Sequence, residues 1–235
     1  MINANTLALD VGCGTARWSK YLSSKVKFIE AIDPSKAIYA ALKLTENIPN
    51  IRITQADSDC IPFEDGSFDF VFSLGVLHHV PNTQLALNKS VKKLKKNGYF
   101  LLYLYYSLEN RGWFYKFLFN SSSLFRKIIS KLPVGLKKNI CDALAVFVYL
   151  PFVGLSLLIK KLLPHSNLYS KIPLSYYTDK SFNIICNDAL DRFGTPLEKR
   201  FTKLQIEEMM KRSGLDEIVF SNFEPYWHAV GKKTK

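Results

Sequence analysis

Apolar and amphipathic stretches alternate along the first hundred residues of the chain. Five short apolar runs, each typical of a buried strand, lie at 6–11, 26–32, 50–55, 68–74 and 98–105. Between them, apolar positions recur at helical spacing over 16–23, 35–44 and 83–94. Strands that alternate with helices in this order predict βαβ units and a parallel sheet.

The last part of the chain adds a helix and two more strands to this pattern. Thr202 and Gln205 have the spacing of a capping box, and Gly214 provides the stop of the helix that they begin. Two further runs, 215–221 and 226–230, are joined closely enough for an antiparallel hairpin. The sequence therefore predicts an α/β fold with a Rossmann-like, seven-stranded, mostly parallel sheet and a C-terminal antiparallel hairpin.

A long insertion separates the fifth predicted strand from the capped helix. It is too long for a plain loop, so we expect it to contain helices of its own. Prolines at 133, 151, 164 and 173 are expected to separate these helices. The predicted organisation is a core made of residues 1–106 and 200–235, with a mainly helical, basic and hydrophobic insertion at 107–199.

The charge of the chain is concentrated in this insertion. Of the formal net charge of +12, residues 107–186 carry +8, from eleven basic and three acidic side chains. Residues 1–106 carry +3 and residues 187–235 carry +1. A basic chain suggests nucleic acid, but no RNA-binding module is recognisable in the sequence, so a nucleic-acid partner is not expected. Any function of the excess positive charge is therefore expected to lie in the insertion.

The insertion also contains a run without charged residues, 143–159, with lysines on both sides. A membrane-spanning helix usually needs roughly twenty apolar residues. This run has seventeen and is interrupted by Pro151 and Gly154, so a span is not expected. Two interpretations remain open: a buried lid helix over the open end of the sheet, or peripheral membrane association through 107–165. The second is favoured by Trp113, Phe114, Phe117, Leu118, Phe125, Arg126 and Lys127.

The four cysteines, Cys13, Cys60, Cys141 and Cys186, show no metal-ligand or redox spacing. We therefore expect reduced thiols and no metal site. Met1 leads almost directly into a strand without a signal peptide. The expected location is cytoplasmic, at the inner membrane surface under the membrane interpretation. The sequence does not determine the oligomeric state.

Candidate ligand-binding residues follow the first three predicted strands. Gly12 and Gly14 allow a close backbone approach, and the helix that follows them favours an anionic group. Arg17 stands where a dinucleotide fingerprint would have its third glycine. Asp33 can accept both hydroxyls of a ribose, or it is an acid at the start of the next helix. Asp57 can accept the amine of an adenine, or it is a solvated loop residue.

Four ordered motifs together resemble a known family. They are Leu9-Asp10-Val11-Gly12-Cys13-Gly14-Thr15, Ala31-Ile32-Asp33-Pro34-Ser35, Ala56-Asp57 with Ile61-Pro62-Phe63-Glu64-Asp65-Gly66-Ser67-Phe68-Asp69, and Ser73-Leu74-Gly75-Val76-Leu77-His78-His79-Val80-Pro81. They are similar to those of class I S-adenosylmethionine (SAM)-dependent methyltransferases, in the branch of ubiquinone, menaquinone and small-molecule methyltransferases. The resemblance covers about 1–106 and 200–232.

The resemblance implies SAM as cofactor, S-adenosylhomocysteine as product and a small, lipophilic methyl acceptor. The implied cofactor-binding residues are Asp10, Gly12, Cys13, Gly14, Arg17, Asp33, Pro34, Asp57, Ser58, Ser73 and Leu74. Ala16 replaces the third glycine of the family loop, which fits a helical backbone angle at that position. The family also has helices before the first strand, and this chain starts at the strand. A truncated SAM-binding remnant without activity is therefore an alternative.

The catalytic candidates follow the fourth strand. Histidine is the side chain suited to proton transfer near neutral pH, so His78 and His79 can act as a general base, or they pack and cap the helix that follows. The substrate candidates are Tyr105, Tyr176, Tyr177, Asp188 and Arg192, which can orient an acceptor or can be solvated loop residues. Trp227 and His228 are expected in the core.

Overall fold

The structure is a computed structural model that describes residues 2–109, 112–223 and 226–234, with the side chains of 114, 115 and 118 outside that description. It has two compact units, one formed by Met1–Glu109 with Leu197–Lys235 (the core unit) and one formed by Asn110–Pro196 (the inserted unit). The predicted hairpin connection at 222–225 lies partly outside the described residues.

The core unit contains a seven-stranded sheet in the order β3-β2-β1-β4-β5-β7-β6. The strands are β1 (Leu7–Val11), β2 (Phe28–Ile32), β3 (Ile51–Thr54), β4 (Phe68–Leu74), β5 (Leu94–Tyr103), β6 (Leu215–Phe220) and β7 (His228–Lys233). Strands β1 to β5 pair in parallel, and β7 is antiparallel to both β5 and β6. The predicted fold class and C-terminal hairpin are confirmed.

Eight α-helices are found in the described part of the chain. They are α1 (Arg17–Ser23), α2 (Ile38–Thr45), α3 (Thr83–Lys92), α4 (Trp113–Ile129), α5 (Val134–Leu144), α6 (Leu150–Leu162), α7 (Phe182–Gly194) and α8 (Lys203–Arg212). The predicted capping box of α8 is present, since Thr202 Oγ1 accepts the N–H of Gln205 at 3.1 Å and Gln205 Oε1 accepts the N–H of Thr202 at 2.9 Å.

Alternation along the strands builds two apolar layers, one on each face of the sheet. Leu9 and Val11 of β1 join the layer that includes Leu87 of α3 and Ile206 of α8. Ala8 of β1 joins the opposite layer with residues of α1 and α2. Because helices cover both faces, the carboxyl edge of the sheet is the natural place for a ligand.

The inserted unit contains a continuous helix, Val134–Leu162, made of α5, a π-helical turn (Ala145–Tyr149) and α6. The expectation that Pro151 would interrupt this segment is wrong. In the π turn the N–H of Leu150 donates to the carbonyl of Ala145, five residues back, so the hydrogen-bond register shifts just before the proline. This shift allows the helix to continue through Pro151.

Candidate active site

Three strand ends bring the predicted cofactor residues to one edge of the sheet. In the parallel register, Val11 lies opposite Ile32, and Ile32 lies opposite Thr54. Gly12, Asp33 and Asp57 therefore follow neighbouring strands at the same edge. The loop that contains Gly12 contacts Asp33 directly, because the N–H of Gly14 donates to Asp33 Oδ2 at 2.9 Å.

The loop after β1 needs glycine at Gly12 for two reasons. Its φ of +82° lies in the left-handed region, and a Cβ there would approach a methyl carbon of Val76 to 2.3 Å. The N–H groups of Gly12 and Cys13 both donate to the carbonyl of Ile32, at 2.8 and 2.9 Å. Gly14, with φ of +54°, has open space where its Cβ would be, so the backbone is approachable there.

Ala16 does not have the helical backbone angle that the sequence suggested. Its φ of 61° and ψ of 25° are left-handed, and its side chain is fully buried. An alanine in this conformation costs about 1–2 kcal/mol relative to glycine. The backbone at Ala16 thus has the left-handed conformation that a glycine would adopt most easily, although the residue is an alanine.

Asp10 supports the loop from below. It is buried, and its Oδ2 accepts the hydroxyl of Ser19 at 2.6 Å. Burial raises the pKa of the Asp10 carboxyl to about 7, and the nearby Asp33 carboxylate adds to this rise while the Ser19 hydrogen bond opposes it. Burial likewise raises the pKa of the Cys13 thiol, so Cys13 is not a nucleophile here. Arg17 is exposed and lies over the Trp18 ring.

Asp33 is buried and already oriented by the backbone. Besides the bond from Gly14, its Oδ1 accepts the N–H of Ser35 at 2.8 Å. Each carboxylate oxygen has a second lone pair, so the group can still accept hydroxyl donors. The neighbouring Pro34 is exposed, and its carbonyl accepts the side-chain amide of Gln55 at 3.0 Å. A ribose would therefore meet a fixed carboxylate.

Asp57 lies at the exposed end of this row. Its Oδ1 accepts the N–H of Asp59 at 2.9 Å and the hydroxyl of the buried Ser58 at 3.2 Å. Ile61 belongs to the apolar layer of α3, and Phe63 packs against that layer. These two side chains stabilise the core, so Asp57 and Ser58 are the residues of this loop that remain candidates for a polar contact with the cofactor.

The end of β4 closes the other side of the glycine loop. The hydroxyl of Ser73, fully buried, donates to the carbonyl of Val11 at 2.8 Å and joins β4 to β1 where both strands end. Leu74 follows and is half-buried. Gly75, with φ of +78°, donates its N–H to the carbonyl of Tyr103 at 3.0 Å. Ser73 therefore stabilises the end of β1 through the Val11 carbonyl. Leu74, the next residue, is the apolar side chain at this end of β4.

The two histidines after β4 have different environments. The ring of His78 is fully buried and stacks on Tyr105, with 3.8 Å between ring centroids. Burial, with contributions from His79 and Arg200, lowers the pKa of His78 to about 2. In the described part of the chain, neither ring nitrogen of His78 has a hydrogen-bond partner. His78 is therefore a neutral packing residue in this conformation.

His79 has a fixed ring orientation. Its Nδ1 lies 2.7 Å from the carbonyl of Leu197. A carbonyl only accepts, so Nδ1 must carry the hydrogen and Nε2 is the basic nitrogen of the neutral ring. Of the two predicted catalytic residues, only His79 has a ring orientation and tautomer fixed by a hydrogen bond, and its Nε2 is buried in this conformation.

An aromatic row next to these histidines was not predicted as a site. In the sheet register Leu74 lies opposite Tyr103, and Tyr103 lies opposite His228, on which its ring stacks at 4.6 Å. Because β7 runs antiparallel, its first residue is at the edge where β1 to β5 end. His228 is half-buried, whereas the sequence placed it in the core. Its position near Tyr103 could have been found only from the pairing of β5 with β7.

The other substrate candidates belong to the inserted unit, and their side chains contact other residues of that unit. The hydroxyl of Tyr177 donates to Asp188 Oδ2 at 3.0 Å, and Tyr176 packs edge-on against Tyr177. Arg192 donates to the hydroxyl of Ser122 at 2.9 Å. These hydrogen bonds join α7 to the neighbouring segments of the inserted unit, so the side chains have a structural role there. Tyr105 lies in the core unit, beside His78.

Comparison with known proteins agrees with this geometry. Residues 9–102 match a family described as a methyltransferase domain. The chain is 33% identical over 107 residues to a demethylmenaquinone methyltransferase of Staphylococcus carnosus, in an alignment covering 41% of this chain and 42% of that protein. The chain thus matches about two fifths of the length of this relative.

Solved structures of low identity show the same fold. A SAM-dependent methyltransferase from Aquifex aeolicus gives a TM-score of 0.53 at 12% identity, over 99% of this chain and 83% of that one. A Bacillus halodurans protein described as a methyltransferase gives 0.53 at 18% identity, over 94% of this chain and 68% of that one.

Residues 9–102 match a methyltransferase domain, and the fold of the chain is similar to that of class I SAM-dependent methyltransferases. The curated relatives that match this region are named demethylmenaquinone methyltransferases. The cofactor of such a domain is SAM, and the arrangement of the loop after β1 with Asp33 fits it.

Proposed function

We propose that the protein transfers a methyl group from SAM to a small, lipophilic acceptor by in-line attack. The observation that carries this proposal is the contact between the glycine loop and Asp33 at the carboxyl edge of the sheet. When bound, SAM supplies an electrophilic methyl on sulfur, and the protein supplies position and exclusion of water.

Each strand end has a separate part in holding the cofactor. Gly12 and Gly14 let the backbone approach the methionine portion, and Asp10 supports that loop through Ser19. Asp33 accepts the ribose hydroxyls, and Asp57 with Ser58 meets the adenine. In this proposal the remaining contacts come from Cys13, Arg17, Pro34 and Leu74, and Ser73 supports the site through its bond to the Val11 carbonyl.

The proposed acceptor is a reduced quinone or a similar aromatic compound. Relatives of the core unit are named demethylmenaquinone methyltransferases. The row of Leu74, Tyr103 and His228 gives an apolar and aromatic surface beside the proposed methyl position. Aromatic side chains stack favourably on a ring of this kind. Tyr105 continues this surface toward the histidines.

His79 is the proposed general base for a hydroxyl acceptor. Its Nδ1 hydrogen is held by the Leu197 carbonyl, so the lone pair of Nε2 is the one that accepts a proton. His78 positions this segment by packing on Tyr105. A general base of this kind accelerates proton transfer by about 10²–10⁴-fold.

Calorimetric titration with SAM tests the cofactor site directly. Asp33→Ala removes a charge-assisted acceptor, so we expect a loss of about 1.5–3 kcal/mol, or about 10- to 150-fold in Kd. Asp216→Ala, at an exposed carboxylate on β6, is the matched control and should leave Kd unchanged. Equal affinity of folded Asp33→Ala and the natural protein would refute the ribose assignment.

Methyl transfer from labelled SAM to reduced demethylmenaquinone tests the activity itself. Product formation that depends on Asp33 supports an enzyme. SAM binding without transfer to any of a set of quinols, phenols and amines would instead support the SAM-binding remnant.

Peripheral association of residues 107–165 with a membrane is part of the proposal. It is supported by the charge of +8 over 107–186 and by the apolar helix of the inserted unit. A membrane-associated enzyme would meet a lipophilic acceptor where that acceptor is concentrated.

A further inference from the structure

We propose that helix Val134–Leu162 lies in the plane of an anionic membrane surface, with its outer face among the acyl chains, and does not cross the bilayer. This inference rests on the proposed membrane association and specifies the surface, its orientation and the lipid charge. Length and composition alone would allow the helix to cross a membrane. The choice between the two depends on what packs against it.

One face of the helix is covered by the inserted unit itself. Its buried residues recur every three or four positions, as expected for a single helical face. They are Cys141, Ala145, Tyr149, Val153 and Ser156. Ile185 and Ala189 of α7 pack against Ala145 and Tyr149 in one apolar cluster. This face is therefore fixed to the protein.

The opposite face is apolar and exposed. Only 22% of the most apolar window of the helix is buried. The exposed apolar side chains include Phe147, Leu150, Leu155, Leu157, Leu158 and Leu162. By contrast, α8 exposes charged residues, with Lys211 paired to Glu207. A solvated helix looks like α8, whereas the outer face of Val134–Leu162 has the character of a surface that contacts lipid.

The charges around this face are complementary to anionic head groups. Lys137 and Lys138 precede the charge-free run, and Lys160 and Lys161 follow it. Lys138 is paired with Asp142 at 2.5 Å, so the other three carry most of the available charge. Lysines at both ends of an apolar face extend to the lipid phosphates while their stems stay in apolar surroundings.

Helix α7 decides against a crossing orientation. It packs on the inner face and carries Asp188, Asp191 and Arg192, which would enter the hydrocarbon together with the helix. The charge-free run is also short, because seventeen residues at 1.5 Å each span about 25 Å of a core about 30 Å thick. An in-plane position immerses the outer face and leaves α7 on the aqueous side.

Vesicle flotation of the full chain tests the proposal. We expect flotation with vesicles of phosphatidylcholine and phosphatidylglycerol, and at least tenfold weaker binding to phosphatidylcholine alone. Phe147→Glu and Leu158→Glu place a charge on the outer face and should weaken binding at least tenfold. Leu204→Glu, at an exposed leucine on α8, is the matched control and should bind like the natural protein. Alkaline carbonate should release the bound protein from the vesicles, whereas a protein with a membrane-spanning helix would stay bound.

Each opposite result has a definite meaning. Failure of the natural protein to float with anionic vesicles overturns the proposal, as expected for a lid helix that contacts no membrane. Resistance to carbonate overturns the in-plane orientation, and full binding by both glutamate variants overturns the choice of face. SAM titration of the same samples separates the two proposals. Intact SAM binding without flotation refutes only the membrane inference, and flotation without SAM binding refutes only the methyltransferase proposal.

Discussion

Replacement of Asp10 by asparagine should change how the stability of the protein depends on pH. The carboxyl is buried, and its pKa rises from 3.8 to about 7 because burial disfavours the charged form. The folded protein therefore holds this proton more tightly than the unfolded chain. The resulting stability is fully present below pH 4 and is lost as the pH rises through 7. Linkage gives a loss of about 2–3 kcal/mol between pH 5 and pH 8.

His78 acts in the opposite direction over the same range. Its pKa falls from 6.5 to about 2 in the folded protein, so its contribution is present above pH 6.5 and is lost as the pH falls. The useful quantity is therefore the difference between the natural protein and Asp10→Asn at each pH, in which the effect of His78 cancels. Asparagine keeps an oxygen that accepts the Ser19 hydroxyl, so the variant is isosteric.

The assay is urea unfolding of both proteins at pH 5, 6, 7 and 8, with circular dichroism as the readout. We expect Asp10→Asn to gain stability relative to the natural protein by about 2–3 kcal/mol between the lowest and highest pH. A difference that stays constant across the series would mean that Asp10 is ionised throughout, and the reasoning about its burial would be wrong.

Three further changes test other parts of the structure. Gly12→Ala should lower the free energy of unfolding by about 2–4 kcal/mol, from left-handed strain and overpacking against Val76, while Gly14→Ala, with open space, should cost about 1–2 kcal/mol in the same urea assay. His79→Gln should lower kcat for a hydroxyl acceptor by about 10²–10⁴-fold with an unchanged Kd for SAM, and an unchanged kcat would remove His79 as the base. Thr202→Ala should cost about 1 kcal/mol by removing the cap of α8, measured by thermal unfolding.

Local patterns predicted most of the core unit, because each element carries its own periodicity and caps. Strand β4 was predicted at its observed bounds, and Thr202 with Gln205 forms the expected capping box. Strand β5 starts at Leu94, earlier than predicted, because Asn97 adopts a φ of 66° and lets the chain pass an irregularity while paired with β4. The Asn97-Gly98 pair is itself a local turn signal, but no local pattern shows that the strand pairs with β4 on both sides of that turn.

The parts that the sequence did not reveal depend on contacts between distant residues. Pro151 normally ends a helix, and only the π turn before it allows continuation. His228 gained its place in the aromatic row from pairing with Tyr103, more than a hundred positions away in the chain. The fixed ring orientation of His79 likewise depends on the Leu197 carbonyl, which follows the inserted unit.

The position of β7 has a consequence for how the protein is made. This strand fills the gap between β5 and β6, so an inner strand of the sheet is synthesised after the inserted unit and after the edge strand β6. Until then the edge of β5 has no partner on that side, while the ribosome produces the intervening chain with its apolar helix. An open edge invites pairing with other chains. Pairing with β7 removes this open edge of β5 and makes β5 an inner strand of the sheet.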